Sequence, residues 1–508
     1  MNTRSSLLFP VLLLLAMATG SAQNELITKY ANTITEEDVK AHIYFLADDL
    51  MEGRETGERG QRLAAAYIRS QFMKYGLAPG NPGKESYFQT YLLNKVAINK
   101  AEISLGKKTY TFPSDFFVLQ GLPPETLSDQ LAVVGTKNVE KVTGQVEGKM
   151  VLLVDNDEKA GGNIVQRFRG WRAHASRLVG GGAQSVGVVL PDSVYSVLSR
   201  YASSVKTFVS KDEYSPAPIM YFSEGMADDI LAFGKSKVAK MKKELSDAGG
   251  IIMPKMKKFS LGMNTDIAIS QPPAENVAGY LEGTDKKDEL VIITAHYDHI
   301  GVNQDGRINN GADDDASGTT AVLELAEAFS IAAAEGNRPS RSILFMTVSG
   351  EEKGLLGSEY YTDNPIYPLE NTVVNLNIDM VGRVGKLYQD SPDSLNYVYL
   401  IGSDRLSTEL HEISEKANDT YTQMVLDYKY NDENDPNQFY YRSDHYNFAK
   451  NNIPVIFYFN GVHEDYHRPG DTPDKIRLGK LAKTAQLVFA TAWELANREK
   501  RIIVDKAQ

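Results

Sequence analysis

The chain has 508 residues, with 54 Lys and Arg against 66 Asp and Glu, eight His and no Cys. That length suggests more than one domain, and 42% apolar with 24% charged residues are globular values that speak against disorder, collagen and coiled coil. A net charge of −12 argues against a nucleic-acid binder, and the lack of Cys excludes disulfides, thiolate nucleophiles and sulfur-ligated metals, leaving metal and acid–base chemistry to His and carboxylates.

Taken from the start, Arg4, the apolar run 7–18 and the small residues Gly20, Ser21 and Ala22 read as a signal peptide over 1–22. The apolar run is too short to span a bilayer, which takes roughly 20 residues, and no later stretch is apolar enough to do so. The expectation is an exported protein, periplasmic or extracellular, without a stable membrane anchor. Residues 34–75 read as two helices, with Thr35 as a cap and Arg54, Gly57 and Gly60 in the joint. Short alternating runs over 87–119 predict strands. Residues 128–262 look like a separate module, with strands at 149–154, 185–190 and 217–222 and no convincing catalytic set. Its Lys-rich stretch 235–243 reads as a solvated helical face, and its lone His174 as a surface or packing residue.

From Asn276 onward strands and helices alternate. Strands are expected at 289–295, 342–348, 373–378, 397–401 and 454–459, and helices at 316–334, 354–362, 406–417, 444–450 and 478–497. That pattern predicts an α/β fold with a mainly parallel central sheet and helices on both faces. Ligands in such sheets bind beyond the carboxyl ends of the strands, so the residues just past each strand carry the interest.

The first of these strands runs into His296-Tyr297-Asp298-His299. A His there fits a ligand and a carboxylate two residues on fits its orienting partner, although taken alone such a string more often marks a structural His, and His299 competes with His296. Asp313, Asp314 and Asp315 precede the next helix. One Asp suffices for an N-cap, whereas three adjacent like charges repel unless a cation or buried donors hold them. Strand 342–348 ends in Ser349-Gly350-Glu351-Glu352, where an extended backbone would send neighbouring side chains apart, one to ligate and one to face the reaction. Asp379 follows strand 373–378, and His463 and His467 follow strand 454–459. Together, His296, one Asp of the triplet, Glu352, Asp379 and His467 offer two imidazoles and three carboxylates. With one carboxylate bridging, each of two divalent ions receives three protein ligands, and the charges close with a hydroxide. Ligation by His and carboxylates without sulfur suits Zn, Co or Mn, with zinc the default.

These strings resemble the M28 family of co-catalytic zinc aminopeptidases. The matching residues are Ala295 through Asp298, Gly311 through Gly318, Ser349 through Ser358, Asn377 through Met380 and His467 through Thr472, all in the family's order. The likeness spans about 276–480, is weaker at 46–60 and at Ser443-Asp444-His445, and makes 128–262 resemble an inserted protease-associated (PA) domain. The implied plan is therefore a peptidase domain over 23–127 and 263–508 interrupted by that insert. The resemblance implies that Asp314 bridges two Zn2+ ions, with a cis peptide to Asp315. His296 and Asp379 would complete one ion, and Glu352 and His467 the other. Glu351 would be the general base and Asp298 would orient His296, while His299, His445 and His463 stay outside the ligand set. The implied function is a di-zinc exopeptidase, an aminopeptidase acting on peptide substrates through a metal-bridging water. A carboxypeptidase or another amidohydrolase fits the same ligands. A glutaminyl cyclase typically operates with one zinc, and a non-catalytic PA-containing binding protein fits poorly with a full ligand set. The aromatic loop 428–441, with Tyr428, Tyr430, Phe439, Tyr440 and Tyr441, is a candidate wall of the substrate pocket or else a solvated loop with packing aromatics.

Overall fold

A computed structural model describes residues 23–119, 125–157, 164–204, 207–210, 219–257, 259–303 and 305–506. The leader expected at 1–22 lies outside them. Among the described residues no helix is long and apolar enough to cross a membrane. The chain divides into two compact units, one formed by the described residues up to Leu92 and from Pro273 onward, the other by Leu93–Pro272.

In the first unit the sheet order is Ala78–Pro79, Pro273–Leu281, Arg341–Val348, Lys286–His296, Thr372–Ile378, Val455–Phe459, Tyr397–Ile401 and Val425–Asp427, with Phe88–Leu92 also paired to Pro273–Leu281. The four strands from Arg341–Val348 to Val455–Phe459 run parallel to one another, and the pairs flanking them are antiparallel. The sheet is thus mixed, parallel at its centre. Successive side chains on a strand point to opposite faces, and here both faces are dry. Val291, Ile293 and Ala295 join a core with the helices Ala316–Ala334 and Leu478–Asn497, while Leu290 and Ile292 join another with Tyr361 and Phe448. Continuous apolar runs such as Val455–Phe459 follow from that double burial.

The amino-terminal segment packs into the first core through Val39, Ile43 and Leu46 of helix Glu36–Leu46 and Ala64, Ala65 and Ile68 of helix Arg59–Lys74. Thr35 caps the former by accepting from the Asp38 amide at 3.3 Å. The joint is a 3-10 turn, Asp49–Arg54, in which Gly53 has φ +64° and a Cβ would lie 2.4 Å from the Asn309 carbonyl oxygen. Only glycine fits there.

The second unit holds a six-stranded sheet ordered Ile251–Ile252, Leu131–Gly135, Met150–Val154, Ser185–Leu190, Ile219–Ser223 and Phe116–Phe117, and a smaller sheet around Asn94–Leu105. This unit, Leu93–Pro272, takes in the module expected at 128–262 and further residues on either side of it. Strand Asn94–Leu105 pairs antiparallel with Leu261–Ser270 along nearly its whole length, so the entry and exit strands of this unit hold each other.

Candidate metal centre

The central strands finish in register. His296 lies beside Val348, and Ile378 beside Tyr458, so that the residues following Lys286–His296, Arg341–Val348, Thr372–Ile378 and Val455–Phe459 collect at one sheet end. His296 is the last residue of its strand and Asp379 directly follows Thr372–Ile378. Glu351 and Glu352 do not continue an extended backbone. Gly350 is left-handed (φ +74°) and Glu351–Lys353 forms a 3-10 turn closed by left-handed Gly354 and Leu355, which delays the next helix to Leu356–Asp363. The two Glu side chains diverge because the chain turns, not because it alternates.

The three adjacent aspartates take three different environments. Asp313 Oδ1 accepts from the Gly382 amide (2.6 Å), and its Oδ2 lies 3.2 Å from His463 Nε2. Asp315 Oδ1 accepts from the amides of Gly318 (2.7 Å) and Met380 (3.0 Å), tying helix Ala316–Ala334 to the end of strand Thr372–Ile378. Asp314 lies between two imidazoles, with Oδ1 3.2 Å from His296 Nε2 and Oδ2 3.1 Å from His467 Nε2. The Asp314–Asp315 peptide is cis. The amides of Asp313 and Asp314 both donate to the Asp471 carboxylate at 3.0–3.1 Å, which fixes the loop from below.

Around His296 stand Asp379 Oδ1 at 3.6 Å and Glu351 Oε2 at 4.0 Å from Nε2. Asp379 Oδ2 accepts from Ser443 Oγ (2.7 Å), and Ser443 Oγ in turn accepts from Asn377 Nδ2 (2.9 Å). His296 Nδ1 is nearer the main-chain carbonyl of Asp298 (3.1 Å) than its carboxylate (3.7 Å). That carboxylate accepts instead from Thr56 Oγ1 (2.6 Å) and the Glu351 amide (3.3 Å), linking the His296 and Glu351 segments. Around His467, Glu352 Oε2 lies 3.1 Å from Nε2, and Glu352 Oε1 lies 2.8 Å from His299 Nδ1. All five expected ligands and Glu351 therefore meet in one place, in two groups that share Asp314.

Electrostatically the place is crowded. Burial, reinforced by Glu352, Asp379 and Asp444 and opposed by His296, pushes the Glu351 carboxyl well above the usual range. Against burial, Asp314 and Glu352 hold His467 up at about 10. Asp444 is pushed up to about 7 by burial and accepts from Ser358 Oγ. His445 is pushed down to about 3 by burial and stacks on Phe457 with centroids 4.7 Å apart, a packing residue rather than a ligand. The concavity beside His296 and Asp314 is walled by Phe439, Arg442, Phe457, Phe459, Val462 and Tyr466. Of the aromatic loop only Phe439 reaches it. Tyr430 packs on Tyr399, Tyr428 on His411 and Tyr440 on His445.

Two contributors were not legible as such. Arg54 is fully buried and its guanidinium donates to the carbonyls of Tyr297 (2.8 Å), Leu46 (2.6 Å), Asn310 (2.7 Å) and Gly311 (2.8 Å), clamping the two loops that carry His296 and Asp314. Its only trace in the sequence is a charged residue among the glycines of a helix joint. Asp471 lies in the His467–Thr472 string, where nothing separates it from an ordinary turn Asp.

Residues 276–492 match the model of Peptidase family M28. The chain is 31% identical over 217 residues to a probable leucine aminopeptidase of Arthroderma otae, covering 42% of this chain and 55% of the relative. It is 28% identical over 247 residues to aminopeptidase YwaD of Bacillus subtilis, covering 46% of this chain and 47% of that one. The chain thus spans about half the length of the curated relatives it matches. Among solved structures, an aminopeptidase from Aneurinibacillus sp. strain AM-1 aligns over 96% of this chain and 98% of its own with TM-score 0.58 at 18% identity. A zinc aminopeptidase from Bacillus subtilis aligns over 94% and 99% with TM-score 0.54, also at 18% identity. At that identity the likeness is one of fold.

Proposed function

We propose, from the peptidase family M28 domain that the chain carries over 276–492, that this protein is a two-zinc exopeptidase releasing amino-terminal residues from peptides. The observation that carries the reading is Asp314, whose two oxygens face His296 and His467 at 3.2 and 3.1 Å and so join two clusters of His and carboxylate.

The donor set fits divalent cations. Asp314 Oδ2, Glu352 Oε1 and His299 Nδ1 are buried without a hydrogen-bond partner, a costly state for polar atoms unless an ion takes the place of the missing donor. Crowded carboxylates of this kind repel one another until positive charge enters. Imidazole and carboxylate ligands without sulfur suit zinc. His296, Asp314 and Asp379 would hold one ion, and His467, Asp314 and Glu352 the other. When bound, such a pair supplies Lewis acidity, polarising a carbonyl and making a water acidic near neutral pH.

The remaining work belongs to the chain. Glu351, turned away from His467 by the 3-10 turn, accepts a proton from the attacking water at its carboxylate and passes it to the departing nitrogen. Asp298 ties the Glu351 amide to Thr56 and holds His296 through its main chain, keeping base and ligand in fixed relation. Phe439, Phe457, Phe459, Val462 and Tyr466 exclude water from one side and offer an apolar surface to a substrate side chain. The amino-terminal preference comes to this chain from relatives described as leucine aminopeptidases.

Dialysis against a strong chelator is expected to abolish release of free amino acids from a leucyl peptide, and added zinc to restore it. Hydrolysis that survives complete removal of metal would overturn the reading.

A further inference from the structure

Resting on the two-zinc reading, we propose that His299 is itself a ligand of the ion held by His467 and Glu352, so that one ion of the pair has four protein ligands and the other three. His299 is fully buried, and neither ring nitrogen has a hydrogen-bond partner among the described residues. Its Nδ1 lies 2.8 Å from Glu352 Oε1 and 3.8 Å from Asp314 Oδ2, atoms that are unpartnered as well. A separation of 2.8 Å is short enough for a hydrogen bond, yet the ring is not aligned to make one. Two ligand atoms closer than van der Waals contact, with no hydrogen bond between them, have the relation of neighbours that converge on a third point. Nδ1 of His299, Asp314 and Glu352 converge in this way, and the His467 ring stands edge-on to the His299 ring with centroids 5.7 Å apart.

The backbone is built to keep the ring there. The His299 amide donates to the Arg54 carbonyl (3.1 Å), and the ring packs on Gly311, where a Cβ would come within 2.5 Å of His299 Cδ2. Gly311, with φ +57°, thus makes room for the imidazole directly before the aspartate loop.

The consequence is an unequal pair. His299, His467, Asp314 and Glu352 would close one coordination shell with protein atoms, the pattern of a tightly held ion, whereas His296, Asp314 and Asp379 leave a position free beside Glu351. The ion beside Glu351 is then the exchangeable one and the one that meets substrate.

The test combines zinc content under graded chelator with zinc K-edge absorption, on the wild-type protein and on His299→Asn and His299→Gln. The wild type is expected to give up its two ions in two separated steps and to show three imidazoles shared between two ions. In the variants the tighter step should weaken by more than about 100-fold, beyond what loss of an outer partner causes, with the looser step unchanged. Two imidazoles per two ions in the wild type, which needs no variant to fold, would overturn the proposal, as would variants that keep both wild-type affinities. A wild-type protein that binds no zinc would instead overturn the two-zinc reading beneath it.

Discussion

Glu351→Gln is expected to lower kcat by about 10²–10⁴-fold, the usual worth of a general base, while zinc content stays at the wild-type level. The substitution keeps the shape of the side chain and the amide that binds Asp298 Oδ1, and removes only the proton acceptor. Metal retention is the discriminating readout. Glu351 Oε2 lies 4.0 Å from His296 Nε2, farther than Asp379 (3.6 Å) or Asp314 (3.2 Å), yet it groups with His296 and Asp379, so zinc content is what separates a base from a ligand. Burial and the surrounding carboxylates give Glu351 a high proton affinity, which nearby cations would bring back toward neutrality. A variant that loses an ion together with activity would make Glu351 a ligand, and one that keeps full turnover would remove it from the chemistry.

Asp314→Asn is expected to be at least as damaging, by a different route. A carboxylate presents two equivalent anionic oxygens to His296 and His467, whereas an amide keeps one neutral oxygen and turns a donor toward the other imidazole. Both ions should be weakened at once and hydrolysis should fall to background. Asp379→Asn offers a contrast on the same scale, since Asp379 faces His296 alone and its other oxygen is occupied by Ser443. Metal analysis showing two tightly bound zinc ions in Asp314→Asn would contradict the bridging role.

Much of this centre could be read from residue order because each chemical group follows a buried apolar strand, and four such strands lie side by side and parallel. Choosing among Asp313, Asp314 and Asp315 was another matter. All three are carboxylates on one turn, and only their partners distinguish them: an amide and His463 for Asp313, two amides for Asp315, and the two imidazoles of His296 and His467 for Asp314. The divergence of Glu351 and Glu352 depends on left-handed Gly350 and Gly354, a backbone event that strand periodicity does not encode. Arg54 escaped for a similar reason. Its partners include the carbonyls of Asn310 and Gly311, more than 250 residues further along the chain, and local spacing carries no trace of them. The pairing at the two ends of the second compact unit was hidden because Asn94–Leu105 reads as an ordinary strand until its partner Leu261–Ser270 is known.

The central claim, a metal-dependent enzyme that holds the amino terminus of its substrate, is tested most directly by zinc-loaded protein on three matched leucyl peptides: unmodified, N-acetylated and C-amidated. Stepwise release of leucine from the unmodified and C-amidated peptides, with the N-acetylated peptide left intact, is the expected result. Comparable cleavage of the N-acetylated peptide, or protection by the C-terminal amide instead, would contradict it.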